Sequence, residues 1–344
     1  MLFKAPLLSE IYPCLETVSP ESQIQALHAM GIEASLEGNL ILAEIPDNRP
    51  DLSCFNGLGR TVAAALRLPF YPLDAQVPES DLGSIYESVD LDVPTETCLR
   101  LSAAMAVSCH VKPSPDWLQK RLTACGITPV NNLTDIAALV TLETGIPVFL
   151  LDKTTLPEGS LIIRDSWPGE EVFLPDGSSF VPETEIPLVS DENFQVLFPA
   201  GIRDPHITED CQEVLMITAV YADSVMRGLR EQLSVTSGNL DRTCLPLDPM
   251  KTVPALNRVC HLITALSCGT ILDGVLDNLN YVPQPVCLPF EESFSPEVMA
   301  ALNTLGFSVQ EKSLILPSDR KDLKTQEDLK QEIQKLQKVL SATL

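Results

Sequence analysis

Cysteine and histidine side chains are the groups in this sequence whose spacing would reveal metal or disulfide chemistry. The 344-residue chain contains ten cysteines and four histidines. No two cysteines form a CxxC pair and the histidines are equally dispersed, so neither type predicts a zinc site. A disulfide scaffold is typical of small secreted domains, and we therefore expect buried free thiols in a reducing cytosol. The residues are Cys14, Cys54, Cys98, Cys109, Cys125, Cys211, Cys244, Cys260, Cys268 and Cys287, with His28, His110, His206 and His261.

Other catalytic signatures are missing from the sequence. It contains no P-loop, no HxGH-like motif, no GxSxG and no GxGxxG. It therefore offers no recognisable nucleotide-binding turn or nucleophile elbow. Gly57 and Gly59 form a lone glycine pair, which we interpret as close helix packing. Trp117 is interpreted as a core side chain.

The charge balance disfavours a nucleic-acid partner. The formal net charge is −24, from 47 acids and 23 bases. A nucleic-acid-binding surface needs clustered Lys and Arg to displace phosphate counterions, so this chain would on average repel a phosphate backbone. Only the C-terminal end is rich in bases. Acids are interleaved with those bases, and this pattern favours a solvated helix face over an RNA-binding patch.

Length and hydropathy predict a multi-domain protein that is not embedded in a membrane. The length predicts two or three domains, and 45% hydrophobic residues let each of them bury a core. No run approaches the roughly 18–20 apolar residues that span a bilayer. The first residues contain too short an apolar run for a signal peptide. We therefore expect a cytoplasmic protein.

Helix and strand signals predict an α+β protein. Ser19 and Pro20 start a helix that Gly31 ends, and Gly145 ends a later helix. Residues 146–236 hold short apolar strands between Pro, Gly and Asp turns, which favours an antiparallel or mixed sheet over a doubly wound one. The predicted helices cover 19–31, 52–68, 115–126, 133–145, 253–268 and 295–306, followed by a hairpin at 307–317 and a helix starting near Thr325.

Four segments stand out in order along the chain. They are Asn48-Arg-Pro-Asp51 leading into a helix; Pro113–Gln119 with Gly126–Asn132 and Asp135; the weaker Asp241-Arg242 and Asp248-Pro249; and Leu305–Phe307 with Pro317–Asp322 and Glu327–Glu332. Together these segments resemble the β-subunit family of bacterial phenylalanine–tRNA ligases. Four motifs in the family's order are more specific than any one motif, and they cover most of the chain.

The resemblance implies three modules. They are a small α/β N-terminal unit with the NRPD motif at 1–87, a central mixed-sheet, editing-like domain at 88–277, and a C-terminal helix–hairpin–helix, metal-site domain at 278–344. The family's RNA-binding β-barrel would lie between Ile32 and the strand at 39–45, where too few residues are available. The family's later synthetase-like and anticodon-binding domains are expected to be missing as well. We therefore expect two modules that contact tRNA to be missing.

The resemblance also places the family's editing pocket, which hydrolyses tyrosine mistakenly loaded on phenylalanine tRNA. A Thr and an Asn of the pocket fall on Ala137 and Ala138, its His on Phe149, and its Glu on Ile217. Discriminating a tyrosine hydroxyl needs a buried hydrogen-bonding partner, and proton transfer to or from water needs a titratable group. These four side chains supply neither. We predict that the pocket is inactive and has become core.

A metal site is the second implication of the resemblance. The family places Mg²⁺ on four acids, which correspond here to Asp322, Asp328, Gln331 and Glu332. Asp328 and Glu332 are four residues apart and share a helix face, and Asp322 can approach from the preceding turn. Because Mg²⁺ keeps several waters, two or three carboxylates can hold it. A Mg²⁺ cofactor and a capped, solvated helix start both remain open interpretations.

Three functional hypotheses follow. In the first, the chain is a non-catalytic β-like subunit that supports a phenylalanine–tRNA ligase α subunit and contributes to aminoacylation only through the complex. In the second, it is a stand-alone, degenerate paralogue that acts as a protein-interaction module. In the third and weakest, it is a trans-editing deacylase. No catalysis is expected from this chain alone.

Overall fold

The computed structural model describes residues 1–77, 81–202, 207–233, 238–290, 294–310 and 313–342. His206 lies outside the described residues. No helix in these ranges is long and apolar enough to cross a membrane.

The N-terminal unit packs two helices against a small antiparallel sheet. Its elements are β1 (Leu2–Pro6), α1 (Pro20–Ala29), β2 (Ala34–Glu37), β3 (Leu40–Glu44) and α2 (Phe55–Ala65), and the strand order is β1-β3-β2. Ser19 caps α1 by accepting a hydrogen bond from the Ser22 amide, and Gly31 follows it at φ +75°. The second helix starts later than predicted because residues Pro50–Leu52 form a separate 3-10 turn.

The central part of the chain contains most of the strands. Helices lie between them along the chain. In chain order the elements are β4 (Asp90–Asp92), β5 (Cys98–Val107), α3 (Asp116–Ala124), α4 (Asn132–Thr144), β6 (Val148–Asp152), β7 (Ser160–Asp165), β8 (Val172–Phe173), β9 (Ser179–Phe180), β10 (Pro187–Ser190), β11 (Val196–Pro199), β12 (Val214–Tyr221), α5 (Asp223–Gln232), α6 (Gly238–Thr243), α7 (Thr252–Ala265), β13 (Thr270–Ile271) and β14 (Leu276–Leu279).

These strands form two main sheets. One has the order β13-β5-β12-β6, with β14 also paired to β5, and all its pairs are antiparallel. The other has the order β11-β10-β7-β4, in which β4 runs parallel to β7. The mixed topology is therefore the one that the turn-rich sequence predicted. Helices α5 and α6 were not predicted.

Alternation along β5 and β12 divides the core into two layers. Ala104, Ala106 and Met216 belong to the cluster that includes α4 and α7. Met105 and Ile217 belong to a second cluster, which includes the inner residues of β7 and β10. The first sheet is thus covered by helices on one face and by the second sheet on the other, as period-two side-chain alternation allows.

The last residues form a small unit of two helices and three short strands. Its elements are β15 (Cys287–Pro289), α8 (Pro296–Thr304), β16 (Ser308–Gln310), β17 (Ser313–Ile315) and α9 (Gln326–Ser341), with the strand order β15-β17-β16. Thr325 caps α9, and its capping box with Asp328 is complete in both directions. The predicted hairpin is present, and β15 extends it to three strands.

Most sequence-based assignments of individual residues hold, with one error. The mixed α+β class is confirmed. The cysteines are free thiols as predicted, but Cys287 is exposed and Cys14, Cys125 and Cys244 are only partly buried. Gly57 packs as predicted, since a Cβ there would lie 1.6 Å from the Asp51 carbonyl oxygen. Trp117 is 42% exposed, so its core assignment was wrong. Helix α3 buries Leu118 and Leu122 instead, and Trp117 lies beside the Arg121 guanidinium.

Candidate functional site

Helix α4 is fixed at both ends, and it carries two of the predicted pocket positions. At its start the Asn131 side chain accepts the Thr134 amide at 2.9 Å and donates to the Ile207 carbonyl at 2.9 Å. Asp135 accepts from Ser114 Oγ at 2.5 Å and from the Val130 amide at 2.8 Å. Gly145 ends the helix in the left-handed region, which a side chain would strain. The helix is therefore a rigid wall.

A cavity of about 550 Å³ lies between α4, β6 and β1. Ala137, Ala138 and Phe149 line it, so the structure brings three of the four predicted pocket positions together. Most of the other lining residues are apolar. Its volume falls in the range of small-molecule sites, roughly 300–1,000 Å³.

Ile217 takes a different position from the other three. It lies directly opposite Phe149 in the pairing of β12 with β6, and it does not line the cavity. Its side chain is 3% exposed and belongs to the second core cluster. Phe149 packs toward Phe198, with ring centroids 6.5 Å apart. No proton can be taken or given at any of these four positions.

Helix α6 tightly covers the loop that follows β11. Gly201 has φ +78°, and a Cβ added there would lie 2.7 Å from Thr243 Oγ1. Only glycine permits this approach of helix and loop. This packing was not predicted, because α6 follows residues that carry no clear helix-start signal.

The acids predicted to bind metal do not converge on one point. Asp322 forms two hydrogen bonds of 2.8 Å with Arg320, and Glu332 forms one of 2.9 Å with the same guanidinium. Lys335 holds the other Glu332 oxygen at 2.9 Å. Burial by itself lowers the pKa of Arg320. The Asp322 and Glu332 carboxylates outweigh burial, so the pKa of Arg320 lies above its ordinary value. The guanidinium thus occupies the place where two of the carboxylates meet.

Asp328 faces away from that pair and serves as a helix cap. Its carboxylate accepts the amides of Lys324 at 3.0 Å and Thr325 at 2.8 Å. These hydrogen bonds, led by the one from Lys324, lower the pKa of Asp328. Gln331, the fourth predicted position, bonds Glu327 rather than either acid. Among the described residues no three His, Cys, Asp or Glu side chains are grouped so as to hold a metal. As placed, these residues do not fit a Mg²⁺ ion.

The model of the B3/4 domain matches residues 97–268, which is half of the chain. This chain belongs to the B3/4 domain family. The matched residues contain α4, β6 and β12 and therefore all four pocket positions.

Curated relatives of this B3/4 protein are phenylalanine–tRNA ligase β subunits. The chain is 26% identical over 293 residues to the β subunit of Clostridium acetobutylicum, covering 85% of this chain and 36% of that one. It is 31% identical over 255 residues to the Anaeromyxobacter dehalogenans β subunit, covering 72% and 31%. The chain thus spans about a third of the length of these relatives. The resemblance inferred from the four motifs is confirmed.

One solved structure also matches the B3/4 protein along its length. It is an N-terminal fragment of the phenylalanyl-tRNA synthetase β subunit from Pyrococcus horikoshii, with a TM-score of 0.49 and 12% identity over 99% of this chain and 100% of that one. A likeness at this level adds nothing to the assignment.

A buried ion network joins two of the recognised motifs, and sequence reasoning missed it. Arg60 on α2 lies 2.8 Å from Asp319 and 3.5 Å from Asp51 of the NRPD turn. Lys251 also pairs with Asp319. Arg49 binds Asp51 through two hydrogen bonds of 2.8 and 2.9 Å. The two turns were visible as motifs, but nothing local in either indicated that they contact each other.

Proposed function

We propose that this protein is a phenylalanine–tRNA ligase β-like subunit that is inactive in editing and acts through a partner. The family assignment and the named relatives support the β-like role. The observation that carries the inactive part is the set of side chains at the four pocket positions, Ala137, Ala138, Phe149 and Ile217. None can transfer a proton or bond a tyrosine hydroxyl.

Among the described residues, Asp241 is the carboxylate that lines the cavity, and it does not restore a catalytic base. Its Oδ1 lies 2.8 Å from Arg230 Nε, and its side chain is 48% exposed at the rim. This carboxylate is ion-paired and half-exposed at the rim, so it faces solvent rather than a bound ester. The proposal therefore assigns the cavity no hydrolytic role.

Hydrolysis of phenylalanine tRNA that has been misloaded with tyrosine tests this account. The purified chain is expected to release tyrosine at the rate of buffer alone, while an intact phenylalanine–tRNA ligase with a working editing site serves as the positive control. Release above background that the Asp241→Asn substitution abolishes would show a deacylase built on a different base.

We further propose that Mg²⁺ is not a ligand of the C-terminal unit, because Arg320 and the start of α9 already engage the three acids. Adding Mg²⁺, or removing it with EDTA, is then expected to leave Tm unchanged in buffers of equal ionic strength. A saturable rise in Tm that disappears with Asp322→Asn would overturn this.

Homology to phenylalanine–tRNA ligase β subunits favours an α subunit of that ligase as the partner. With a net charge of −24, direct tRNA binding by this chain is disfavoured, so a contribution to aminoacylation would pass through the complex. A stand-alone role as an interaction module is the competing outcome, and co-purification separates the two.

A further inference from the structure

Among the described residues, Arg242 is a buried cation without a carboxylate counter-ion. Its residue is 8% exposed and lines the cavity beside α4. Its Nη1 donates to the Ser53 carbonyl oxygen at 2.5 Å, and its guanidinium carbon lies 5.4 Å from the centre of the Phe3 ring. In the described part of the chain, no carboxylate forms a salt bridge with it. Burial accordingly lowers the pKa of Arg242.

The other buried arginines show how unusual this arrangement is. Arg100 pairs with Asp277 at 2.8 Å, Arg164 with Glu170 at 2.6 Å, and Arg320 with Asp322 and Glu332. All three are as buried as Arg242. Because removing a guanidinium from water without an anion is costly, buried arginines are normally paired. Arg242 therefore points to an anion that is not part of the described chain.

A second, independent feature of the same cavity indicates a ligand. Thr134 Oγ1 is buried and has no hydrogen-bond partner, although buried hydroxyls are almost always bonded. Thr134 lines the cavity one helical turn before Ala137 and Ala138. Lys4 adds a second positive charge to the lining. The cavity is thus locally positive in a strongly acidic protein.

The walls decide what kind of anion fits. Ala137, Ala138, Leu142 and Leu150 give the cavity an apolar interior, so the anionic group must be attached to an apolar body. Asp241 is already paired with Arg230, so an ammonium group finds no free carboxylate in the lining. A carboxylate suits the planar fork of an arginine, which can bind it through two parallel hydrogen bonds.

We propose that this cavity binds a compact apolar carboxylate that carries no amino group, with Arg242 holding the carboxylate and the wall of α4 holding the apolar body. The site is independent of the proposed β-like role. It requires no catalysis, and the pocket positions that have lost their polar groups serve as its apolar surface.

Calorimetric titration with 3-phenylpropanoate tests the proposal on the whole chain. Phenylalanine, which has the same carbon skeleton plus an ammonium group, and 3-phenylpropylamine, which lacks the carboxylate, are the matched probes. The carboxylate is expected to bind at one site, at least tenfold more tightly than either amine. Equal binding of all three, or no saturable binding of the carboxylate, would overturn the proposal.

Variants separate a ligand role of Arg242 from a structural one. Arg242→Met is expected to weaken 3-phenylpropanoate binding at least tenfold without lowering Tm, since an unpaired buried charge has been removed. Arg242→Lys is expected to retain part of the affinity. Should Arg242→Met fail to fold, Ala138→Phe decides the question, because it fills the cavity and leaves the guanidinium in place. Undiminished binding by Ala138→Phe would place the ligand elsewhere and refute the site.

Discussion

Replacing Asp319 by alanine is expected to lower the free energy of unfolding by about 3–5 kcal/mol. Asp319 is 3% exposed and pairs with both Arg60 and Lys251. Removing it leaves Arg60 with only the longer contact of 3.5 Å to Asp51, and it leaves Lys251 without a partner among the described residues. An uncompensated buried charge costs far more than the loss of an exposed ion pair.

Urea unfolding of the purified variant measures this loss. Asp223→Ala is the matched control, because Asp223 forms an exposed ion pair of 2.7 Å with Arg227. The Asp223 side chain is 35% exposed and the Arg227 side chain 53% exposed. That control is expected to lose well under 1 kcal/mol. A similar small loss for both variants would show that the network between the two turns does not stabilise the fold.

The stability difference between wild type and Asp319→Ala depends on pH in a direction that the pKa shift of Asp319 sets. Burial raises the pKa of Asp319, but the charges of Lys251 and Arg60 outweigh burial and hold that pKa well below its ordinary value. A carboxyl whose folded pKa is depressed stabilises the protein above its unfolded pKa of about 3.9 and loses this contribution as pH falls. The gap between wild type and Asp319→Ala is therefore expected to be full near pH 7 and to narrow below about pH 4.

Replacing Ile217 by glutamate is expected to lower the free energy of unfolding by about 4 kcal/mol at neutral pH. Ile217 is 3% exposed and lies between Phe149 on β6 and Ala103 on β5 in the sheet register. A carboxylate placed there meets only apolar neighbours of the second core cluster. Since burial favours the neutral acid, the loss is expected to shrink as pH falls toward 4.

The control for this substitution is Ile217→Val, which removes one methylene and is expected to cost about 0.5–1.5 kcal/mol. Both are measured by urea unfolding at pH 7. A fully stable Ile217→Glu protein would mean that this position faces water. The interpretation of the former editing position as core would then fail.

Local signals account for the parts of the fold that were predicted. Asn131 and Gly145 mark the two ends of α4 because the cap residue types have direct backbone functions there. Ser19 and Thr325 act in the same way for α1 and α9. By contrast, α5 begins after Ala222 without a side-chain cap, and its residues follow a strand-rich stretch. Its buried residues Met226 and Leu229 nevertheless follow helical spacing, so the local pattern was present and was overlooked.

Site chemistry was less predictable because it depends on contacts between distant residues. The acids Asp322 and Glu332 have a spacing that suits a cation, and the cation they meet is Arg320 of the same chain. Sequence spacing cannot distinguish a metal ion from a guanidinium at that point. Arg242 was recognised only as part of a weak motif. Its burial in the lining of the same cavity as Thr134, with no carboxylate partner among the described residues, emerges only from the folded chain.

Co-purification with a phenylalanine–tRNA ligase α subunit tests the central claim most directly. The tagged chain is recovered from native cytosol, and the bound proteins are identified by mass and quantified. The account predicts an α subunit in near-equal amount, retained through size-exclusion chromatography as one complex. Recovery of the chain without an α subunit would contradict the β-like role and leave a B3/4 protein that works apart from the ligase.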